Sequence, residues 1–298
     1  MNGILLIDKS VGPTSHDVVA RIRNTARERS VGHTGTLDPR ATGLLPLVMG
    51  KATRLAPYLS SSEKTYDARL ELGVETSTED AAGDVISRFD GPLPGHDAIA
   101  AALDAFRGMF DQVPSTISAK RIDGHKAYDL ARADKVVELK PVSVTVSELL
   151  LRRVDAAVVE LTVTATAGFY VRALARDLGR ALGCGAHLTA LRRTRSGAFT
   201  LAAALPLDEA ERLGPDVAAH LINPADALPH FPAVTVNALG YRRMTHGNPI
   251  SPDQLIGLVV PVTGAGEKVR VLGEDGTLLG LADSRGGALH PAVVLADR

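Results

Sequence analysis

The most informative stretch of the sequence is His33-Thr34-Gly35-Thr36-Leu37-Asp38-Pro39-Arg40-Ala41-Thr42-Gly43, which carries one carboxylate in a segment that fits neither a regular helix nor a regular strand. Gly35 and Gly43 allow backbone angles that are closed to other residues, and Pro39 biases the residue before it away from helical geometry. Apolar segments lie on both sides of the stretch. A polar loop held between buried elements often presents a reactive group, here Asp38. A tight turn in which Asp38 hydrogen-bonds its own backbone is the alternative.

The composition is that of an ordinary globular protein. The chain has 298 residues, of which 45% are hydrophobic and 22% charged, so it is long enough for one large domain and one small one. No apolar run approaches the ~18 residues of a membrane span, and the first residues lack the basic and apolar regions of a signal peptide. Cys184 is the only cysteine, which excludes an intrachain disulfide and a cysteine-based zinc cluster. We therefore expect a protein of the reducing cytoplasm.

Arginines are concentrated in one part of the chain, although the formal net charge is −1. A near-neutral charge argues weakly against nucleic-acid binding, but residues 168–195 hold six arginines against one aspartate. Three of them, Arg172, Arg176 and Arg180, recur at i, i+4 and i+8 opposite an apolar side. This spacing predicts a helix with one basic face, which either binds RNA phosphates or is an ordinary solvated surface.

The periodicity of apolar residues predicts an α+β fold. Alternation and short apolar runs indicate strands at residues 3–7, 44–49, 66–72, 143–154 and 158–166, and helical spacing indicates helices at 15–29, 96–106, 126–133, 171–182 and 207–213. The strands at 143–154 and 158–166 are expected to form an antiparallel pair. Residues 74–95 are rich in Asp, Gly and Pro and are predicted to be a long loop.

A Pro-rich stretch at residues 223–232 marks a domain boundary. The short strand candidates after it are separated by glycines, a pattern that fits a compact β-barrel of roughly 65–70 residues. Such a domain either binds a ligand or is purely structural. The chain is thus divided into residues 1–230 and residues 231–298.

Five segments of the sequence recur in the order of one known family: Gly3–Lys9 with Thr14-Ser15; Gly32–Pro39 followed by Ala41–Pro46; Lys64-Thr65-Tyr66; Gly168–Arg172; and Leu182–Leu188 followed by Leu191–Arg193. Together they resemble the TruB family, the tRNA pseudouridine synthases that modify the uridine at position 55 of the T loop. The second segment resembles the catalytic loop of that family. Five ordered matches are far more specific than any one alone. Ser10 and Arg40 depart from the Pro and Leu that are common in the family, at positions that do not touch the expected chemistry.

The resemblance implies an enzyme that isomerises uridine to pseudouridine without a cofactor. The reaction breaks an N-glycosidic bond, turns the base over and rejoins it through carbon, so no electrons are exchanged and no group is imported. The sequence has no phosphate-loop motif, no His-Glu-x-x-His and no cluster at metal-ligand spacing. The implied partner is the T arm of tRNA, with no obligatory protein partner, and the implied state is a monomer.

The resemblance also assigns the two predicted domains. Residues 1–230 resemble the pseudouridine synthase catalytic fold, which implies a mixed, largely antiparallel sheet with flanking helices. The resemblance also implies an insertion at about 74–140 that clamps the T arm. Residues 231–298 resemble the PUA domain, a small RNA-binding module, by their position and by the turn Gly247-Asn248-Pro249.

Three residues are implied to be catalytic. Asp38 either attacks the sugar or base covalently or removes a sugar proton after bond cleavage, and both routes stay open. Desolvation by the bound base favours the neutral acid, so a guanidinium such as that of Arg172 is needed to keep the carboxylate ionised. The target base must leave the folded tRNA loop for a pocket, where Tyr66 would stack against it. Outside their motifs, Tyr66 would be interpreted as a core residue and Arg172 as a solvated charge.

Eight further residues are candidates for substrate binding. Tyr170 and Leu191 would line the pocket, and His33 would hold the flipped conformation or contact the RNA. Phosphate contacts are expected from basic side chains, which give affinity without sequence information: Lys9, Arg176, Arg180, Lys120 and Arg192. For each of the eight, the alternative is a structural or solvated side chain.

Other functions are compatible with parts of the sequence. An RNA-binding or RNA-folding protein could carry a vestigial loop, although the intact set of Asp38, Tyr66 and Arg172 favours catalysis. A guide-RNA-dependent relative shares the Thr-Leu-Asp motif and the PUA domain, but it is expected to have an N-terminal extension, whereas here the first strand begins at Gly3. A metal-dependent hydrolase that uses Asp38 would lack companion ligands.

Overall fold

The computed structural model describes residues 1–115, 121–122, 125–126, 140–257 and 266–297. The helices among them are α1 (Ser15–Thr25), α2 (Ala56–Ser60), α3 (His96–Leu103), α4 (Val171–Ala181), α5 (Leu207–Leu213) and α6 (Ala238–Thr245). Short 3-10 helices occupy Gly50–Leu55, Asp104–Phe106, Leu201–Ala203, Gly214–His220, Pro224–Asp226 and Pro252–Gln254. None of the described helices is long and apolar enough to cross a membrane.

The described strands form one large sheet, one smaller sheet and two separate hairpins. In chain order they are β1 (Gly3–Lys9), β2 (Val31–His33), β3 (Thr42–Met49), β4 (Lys64–Leu72), β5 (Val74–Thr76), β6 (Val85–Arg88), β7 (Gly108–Gln112), β8 (Arg121–Ile122), β9 (His125–Lys126), β10 (Val142–Asp155), β11 (Val158–Ala165), β12 (Ala186–Ser196), β13 (Phe199–Thr200), β14 (Leu205–Pro206), β15 (Ala233–Val236), β16 (Leu255–Ile256), β17 (Lys268–Leu272), β18 (Leu278–Arg285) and β19 (Ala288–Val294).

The large sheet has ten strands in the order β14-β1-β3-β12-β4-β11-β10-β7, with β2 paired to β3 and β13 to β12. Its neighbouring strands are antiparallel except for the parallel pairs β1–β14 and β3–β12. The predicted β10–β11 pair is confirmed, with Leu149 opposite Val163. A mixed, largely antiparallel sheet with helices against it is therefore the architecture expected from the sequence.

One face of this sheet carries two apolar clusters with a boundary between them. In the first cluster, Ile22 of α1 packs against the inward residues of β1 and β3. In the second, Leu174 and Leu178 of α4 pack against β4, β10 and β11. Tyr66 of β4 and Leu191 of β12 pack against both clusters. The boundary therefore crosses the sheet at β4 and β12, where two motifs of the sequence meet.

The opposite face of β1 is covered by the smaller sheet. This sheet has the order β16-β15-β17-β18-β19, and its Leu281 packs with Ile4 and Leu6. The closed β-barrel expected here is not confirmed. Barrel closure requires pairing between the first and last strands. Within the described residues β16 and β19 do not pair, and β19 is bridged instead at Leu289 to Ile250, which precedes β16.

The segment predicted to be a long loop instead contains the β5–β6 hairpin. Thr76 Oγ1 donates to the carbonyl O of Asp80 at 2.7 Å and closes its turn. The turn is attached to β12, because the N–H of Ala81 donates to the carbonyl O of Leu188 and the N–H of Leu188 donates to the carbonyl O of Glu79, both at 3.0 Å. The hairpin was missed because its anchoring strand lies far along the chain.

One predicted helix is shorter in the structure, and another lies almost entirely outside the described residues. Helix α1 ends at Thr25 instead of near residue 29, because Arg27 has a φ of 52°, the left-handed conformation that terminates helices. The helix predicted at 126–133 lies outside the described residues apart from Lys126, which belongs to β9.

Candidate active site

The loop between β2 and β3 is held in place by the start of α1. Ser15 Oγ accepts a hydrogen bond from the N–H of Leu37 (2.8 Å) and donates one to its carbonyl O (3.1 Å). The N–H of Ala41 donates to the carbonyl O of Asp38 at 3.0 Å, which makes a turn around Pro39. A turn is thus present, but it uses the backbone of Asp38 and leaves the carboxylate to contact another element.

Lys9 supports this loop from inside the protein. Its side chain is fully buried, and Nζ donates to the carbonyl oxygens of Pro39 (3.3 Å) and Ala41 (2.6 Å). Burial lowers the pKa of Lys9 to about 8; the Asp38 carboxylate opposes this shift and the Arg193 guanidinium adds to it. The prediction that Lys9 contacts RNA phosphate is therefore wrong, because the ammonium group is enclosed by the loop that it holds.

Removing this buried charge with Lys9→Met should change how stability depends on pH. An unperturbed lysine titrates near 10.5, whereas Lys9 in the folded protein loses its proton at about 8. Between these values the unfolded state binds more protons, so the stability of the wild type relative to the variant should rise with pH. Urea unfolding near pH 7.5 and pH 9.5 measures this difference, with Lys51→Met, at a partly exposed lysine that pairs with Asp297, as the control. A wild-type advantage that does not grow with pH would contradict the prediction.

The Asp38 carboxylate forms a salt bridge with the guanidinium of Arg172 in the first turn of α4. Arg172 Nε lies 3.1 Å from Asp38 Oδ2. The guanidinium is fixed by two further bonds from Nη1, to Ser115 Oγ (3.0 Å) and to the carbonyl O of Thr78 (3.4 Å). The Arg172 side chain is 7% exposed and that of Asp38 is 43% exposed. A buried, fixed cation therefore orients a carboxylate that is accessible from outside.

This carboxylate borders a pocket of about 500 Å³. The lining residues include five that the sequence placed at one site: Asp38, Tyr66, Tyr170, Arg172 and Leu191. Tyr66 and Leu191 lie on the neighbouring strands β4 and β12, at the boundary between the two apolar clusters. Pockets for small ligands typically measure ~300–1,000 Å³, so the volume suits one planar ring with part of its sugar. The arrangement places a carboxylate at the edge of a largely apolar slot.

His33 lies at the start of the same loop. It is adjacent to residues that line the pocket but is not one of the described lining residues. Its Nδ1 accepts a hydrogen bond from the N–H of Gly35 (3.3 Å), which leaves the ring proton on Nε2. The ring meets that of His16 edge-on, with centroids 5.3 Å apart. Burial lowers the pKa of His33, and His16 and Arg193 add to this effect. These surroundings favour the neutral form of the ring, and its contact with RNA stays a prediction.

The exposed basic face predicted for α4 is wrong for two of its three arginines. Arg176 is buried, with Nη1 2.6 Å from Glu79 Oε1 and Nε 2.8 Å from Asp177 Oδ1. Arg172 is also buried, whereas Arg180 in the last turn is exposed. The helical spacing does place the first two on one face, but that face is turned toward the β5–β6 hairpin. Arg176 is therefore an internal ion-pair residue, not a phosphate contact.

Arg192 and Lys120 are the two remaining candidates for phosphate contact. Arg192 is partly exposed and pairs with Asp8 at 2.7 Å, so it stays a candidate for RNA contact. Lys120 lies outside the described residues. Within the part of the chain that the structure describes, no group of three or more His, Cys, Asp or Glu side chains is placed to hold a metal ion.

Sequence reasoning missed several residues around the pocket. Lys64 belongs to a recognised motif and is buried against the pocket, although no role was assigned to it. Arg193, from another motif, is also buried and lines the pocket. Gln112 of β7 holds the backbone of Tyr170: its Oε1 accepts from the N–H (2.8 Å) and its Nε2 donates to the carbonyl O (3.1 Å). No local signal pointed to Gln112, because its partner lies 58 residues away.

Comparison with known proteins gives consistent matches over the whole chain. The family described as "TruB family pseudouridylate synthase (N terminal domain)" matches residues 23–171, and "tRNA pseudouridylate synthase B C-terminal domain" matches residues 172–228. A protein of Thermobifida fusca (strain YX) named tRNA pseudouridine synthase B is 43% identical over 99% of both chains. One of the same name from Geobacter sulfurreducens is 40% identical over 96% of this chain and 95% of its own. A solved Cbf5-Nop10-Gar1 complex contains a chain similar at a TM-score of 0.76 and 26% identity, covering 99% of this chain and 85% of the other.

Proposed function

The chain belongs to the TruB family of pseudouridylate synthases, and from this premise we propose that it isomerises the uridine at position 55 in the T loop of tRNA. It is a tRNA pseudouridine synthase, as are relatives that match it over nearly their full length. The observation that supports the catalytic assignment is the Asp38–Arg172 salt bridge beside a pocket bounded by Tyr66 and Leu191. The members of this set come from four different family motifs and meet at one point.

In this proposal Asp38 is the one carboxylate that the reaction requires. It attacks the sugar or the base covalently, or it removes a sugar proton once the glycosidic bond has broken. Both routes need an ionised carboxylate within reach of the ribose. Arg172 favours that ionised form when the bound base excludes water, because a guanidinium stays charged when it is buried. The partial exposure of Asp38 leaves one side of the carboxylate open to the substrate.

The pocket is proposed to hold the target base after it has left the T loop. Extrusion of a loop base costs a few kcal/mol, which stacking and hydrogen bonds in the pocket offset. Tyr66 would stack on the base with its hydroxyl free to assist proton transfer, and Leu191 would form an apolar wall. Tyr170, whose backbone Gln112 holds, would line the same slot.

The RNA interface is proposed to extend from the pocket to both domains. Arg180 and Arg192 would contact phosphates, and His33 would hold the flipped conformation. The insertion at about 74–140, which begins with the β5–β6 hairpin, would clamp the T arm. Residues 231–298, which contain the smaller sheet, would form a PUA-like RNA-binding domain. Residues 1–230 would form the catalytic domain.

Arg176→Ala should leave the salt dependence of tRNA binding unchanged, whereas Arg180→Ala should flatten it. Each lost phosphate contact reduces the slope of log K against log salt by about 0.7–0.9, and of the two only Arg180 is exposed. Arg176→Ala would instead leave Glu79 buried and unpaired and lower the free energy of unfolding by about 3–5 kcal/mol. Filter binding across salt concentrations, with urea unfolding of the same variants, measures both effects. A flatter slope for Arg176→Ala would return this residue to the interface.

Release of tritium from a T-arm transcript that carries 5-tritiated uridine tests the enzyme itself. The C5 position gives up its hydrogen when the new carbon–carbon bond forms, so wild-type protein should release tritium from the uridine at position 55. A transcript labelled at that position alone identifies the target, and one with cytidine there should release none. A protein that binds the transcript without releasing tritium would favour the alternative, an RNA-binding or RNA-folding protein.

We also propose that the enzyme acts in the cytoplasm as a monomer without a protein partner. The solved structural neighbour is named as a complex with Nop10 and Gar1, so dependence on partners is the property to examine. The purified chain alone, sedimenting as a single copy, should release tritium at the full rate. A requirement for a second protein or a guide RNA would contradict this part of the proposal.

A further inference from the structure

Two buried cations that have no carboxylate partner among the described residues lie against the pocket. Lys64 opens β4 and is 6% exposed, and Arg193 lies on β12 and is 1% exposed. They come from neighbouring strands, and both line the pocket together with Tyr66. A Cβ atom placed on Gly35 would lie 3.3 Å from Arg193 Nη1 and 3.8 Å from Lys64 Cε, so both side chains approach the loop that carries Asp38. We call Lys64 and Arg193 the cation pair.

The cation pair is held by neutral carbonyl groups. Lys64 Nζ donates to the carbonyl oxygens of Ser60 (2.5 Å) and Ser62 (2.6 Å). Arg193 donates from Nε to the carbonyl O of Leu44 (2.7 Å) and from Nη2 to that of Gly35 (3.1 Å). An ammonium group has three N–H donors and a guanidinium five, so within the described part of the chain donors of both groups are left unused. The unused donors belong to side chains that line the pocket.

A buried charge without a counter-charge is unfavourable. Among the described residues, neither member of the cation pair forms a salt bridge, in contrast to Arg176, which two carboxylates neutralise. Burial, together with the nearby Arg193 guanidinium, lowers the pKa of Lys64 to about 8. The fold therefore maintains two positive charges beside the pocket, and their natural complement is a negative charge inside it.

The proposed reaction creates such a charge for a short time. When the N1–C1′ bond breaks, its electron pair passes to the base, which then carries one negative charge spread over N1, O2 and O4. On the routes in which Asp38 acts on the sugar, C1′ is meanwhile bonded to Asp38, or Asp38 holds a sugar proton that it later returns. The base turns, C5 bonds to C1′ and gives up its proton, and N1 takes up a proton. Atoms and charge balance, because the product is an isomer of the substrate.

Resting on the proposed function, we propose that Lys64 and Arg193 bind the oxygen atoms of the detached uracil anion and stabilise its negative charge. Donors that are fixed before the reaction act in this way at developing oxyanions, because they need no reorganisation when the charge appears. The carbonyl groups that hold the cation pair supply that fixed geometry. In this role the cation pair acts on the base, whereas Arg172 acts on Asp38.

A backbone phosphate next to the flipped nucleotide is the other anion to consider. Phosphates stay with the RNA backbone at the opening of a base pocket, because only the nucleoside enters it. The two side chains are at least nine-tenths buried, whereas arginines that grip phosphates need to reach the solvent-exposed surface. The burial of both side chains therefore favours the base, and not a phosphate, as the anion that the cation pair binds.

Lys64→Met tests the proposal by its effect on the chemical step. Single-turnover pseudouridine formation at saturating tRNA should slow by about 10²-fold, the cost of one oxyanion donor, while the Kd for tRNA should stay within about threefold of the wild type. Lys64→Arg keeps the charge and the donors, and it should recover most of the rate. Lys51→Met, which removes a lysine remote from the pocket, should match the wild type.

A substrate with 5-fluorouridine at the target site separates charge stabilisation from a structural defect within the same folded variant. Fluorine withdraws electrons and stabilises the uracil anion, so Lys64→Met should slow the disappearance of 5-fluorouridine, measured by nucleoside analysis, much less than that of uridine. Equal slowing on both substrates, an unchanged rate on uridine, or weaker tRNA binding with a normal chemical step would overturn the inference and leave the proposed function intact. Wild-type protein that forms no pseudouridine would overturn both.

Discussion

Asp38→Asn is expected to reduce pseudouridine formation by at least about 10³-fold, within the range found when an acid–base group or nucleophile is removed. An amide has nearly the shape of a carboxylate, but it is neither a base nor a competent nucleophile. The loop should keep its conformation, because Ser15 and Lys9 hold it through the backbone of Leu37, Pro39 and Ala41. The expected loss is therefore chemical and not structural.

The measurement combines tritium release under single-turnover conditions with filter binding of the same tRNA. Affinity should stay within about threefold of the wild type, since the side chain is partly exposed and such substitutions usually cost little. Asp216→Asn is the matched control, because Asp216 is an exposed carboxylate in a 3-10 helix away from the pocket. Loss of binding in parallel with turnover, or retained turnover, would show that the chemistry had been assigned to the wrong residue.

The sequence could predict which residues meet at the site, because each belongs to a motif that is recognised without knowing what surrounds it in the fold. Asp38, Tyr66, Arg172 and Leu191 come from four separate segments, and the structure places all of them at one pocket. The large antiparallel part of the sheet was also predictable, since its strands have clear apolar periodicity. In both cases the necessary information is local in sequence.

The errors share one physical cause, which is that the burial of a cation depends on partners far along the chain. Lys9 and Arg176 look like surface charges in sequence, because helical or strand spacing does not show which face meets another element. Their partners are the carbonyl groups of the loop in one case and Glu79 in the other, 97 residues from Arg176. The hairpin that carries Glu79 was missed for the same reason.

Arg172→Met is expected to slow catalysis by about 10²–10³-fold, a typical loss for a preorganised electrostatic group. Without the guanidinium, Asp38 would lose its orientation and the charge that keeps it ionised when the base excludes water. The loss of stability should be smaller than for most buried ion pairs, about 1–3 kcal/mol, because water can solvate the half-exposed carboxylate while Ser115 and Thr78 lose a donor.

Arg172→Lys separates charge from geometry. A lysine keeps the positive charge but lacks the planar fork that lets one guanidinium contact Asp38 from Nε and Ser115 and Thr78 from Nη1. If charge alone matters, Arg172→Lys should restore nearly the full rate; if the fixed orientation matters as well, as the three contacts indicate, it should stay at least about tenfold slower than the wild type. Single-turnover rates of both variants, with urea unfolding to correct for stability, decide between these cases. A fully active Arg172→Met would mean that Asp38 needs no fixed cation, and the salt bridge would then be structural.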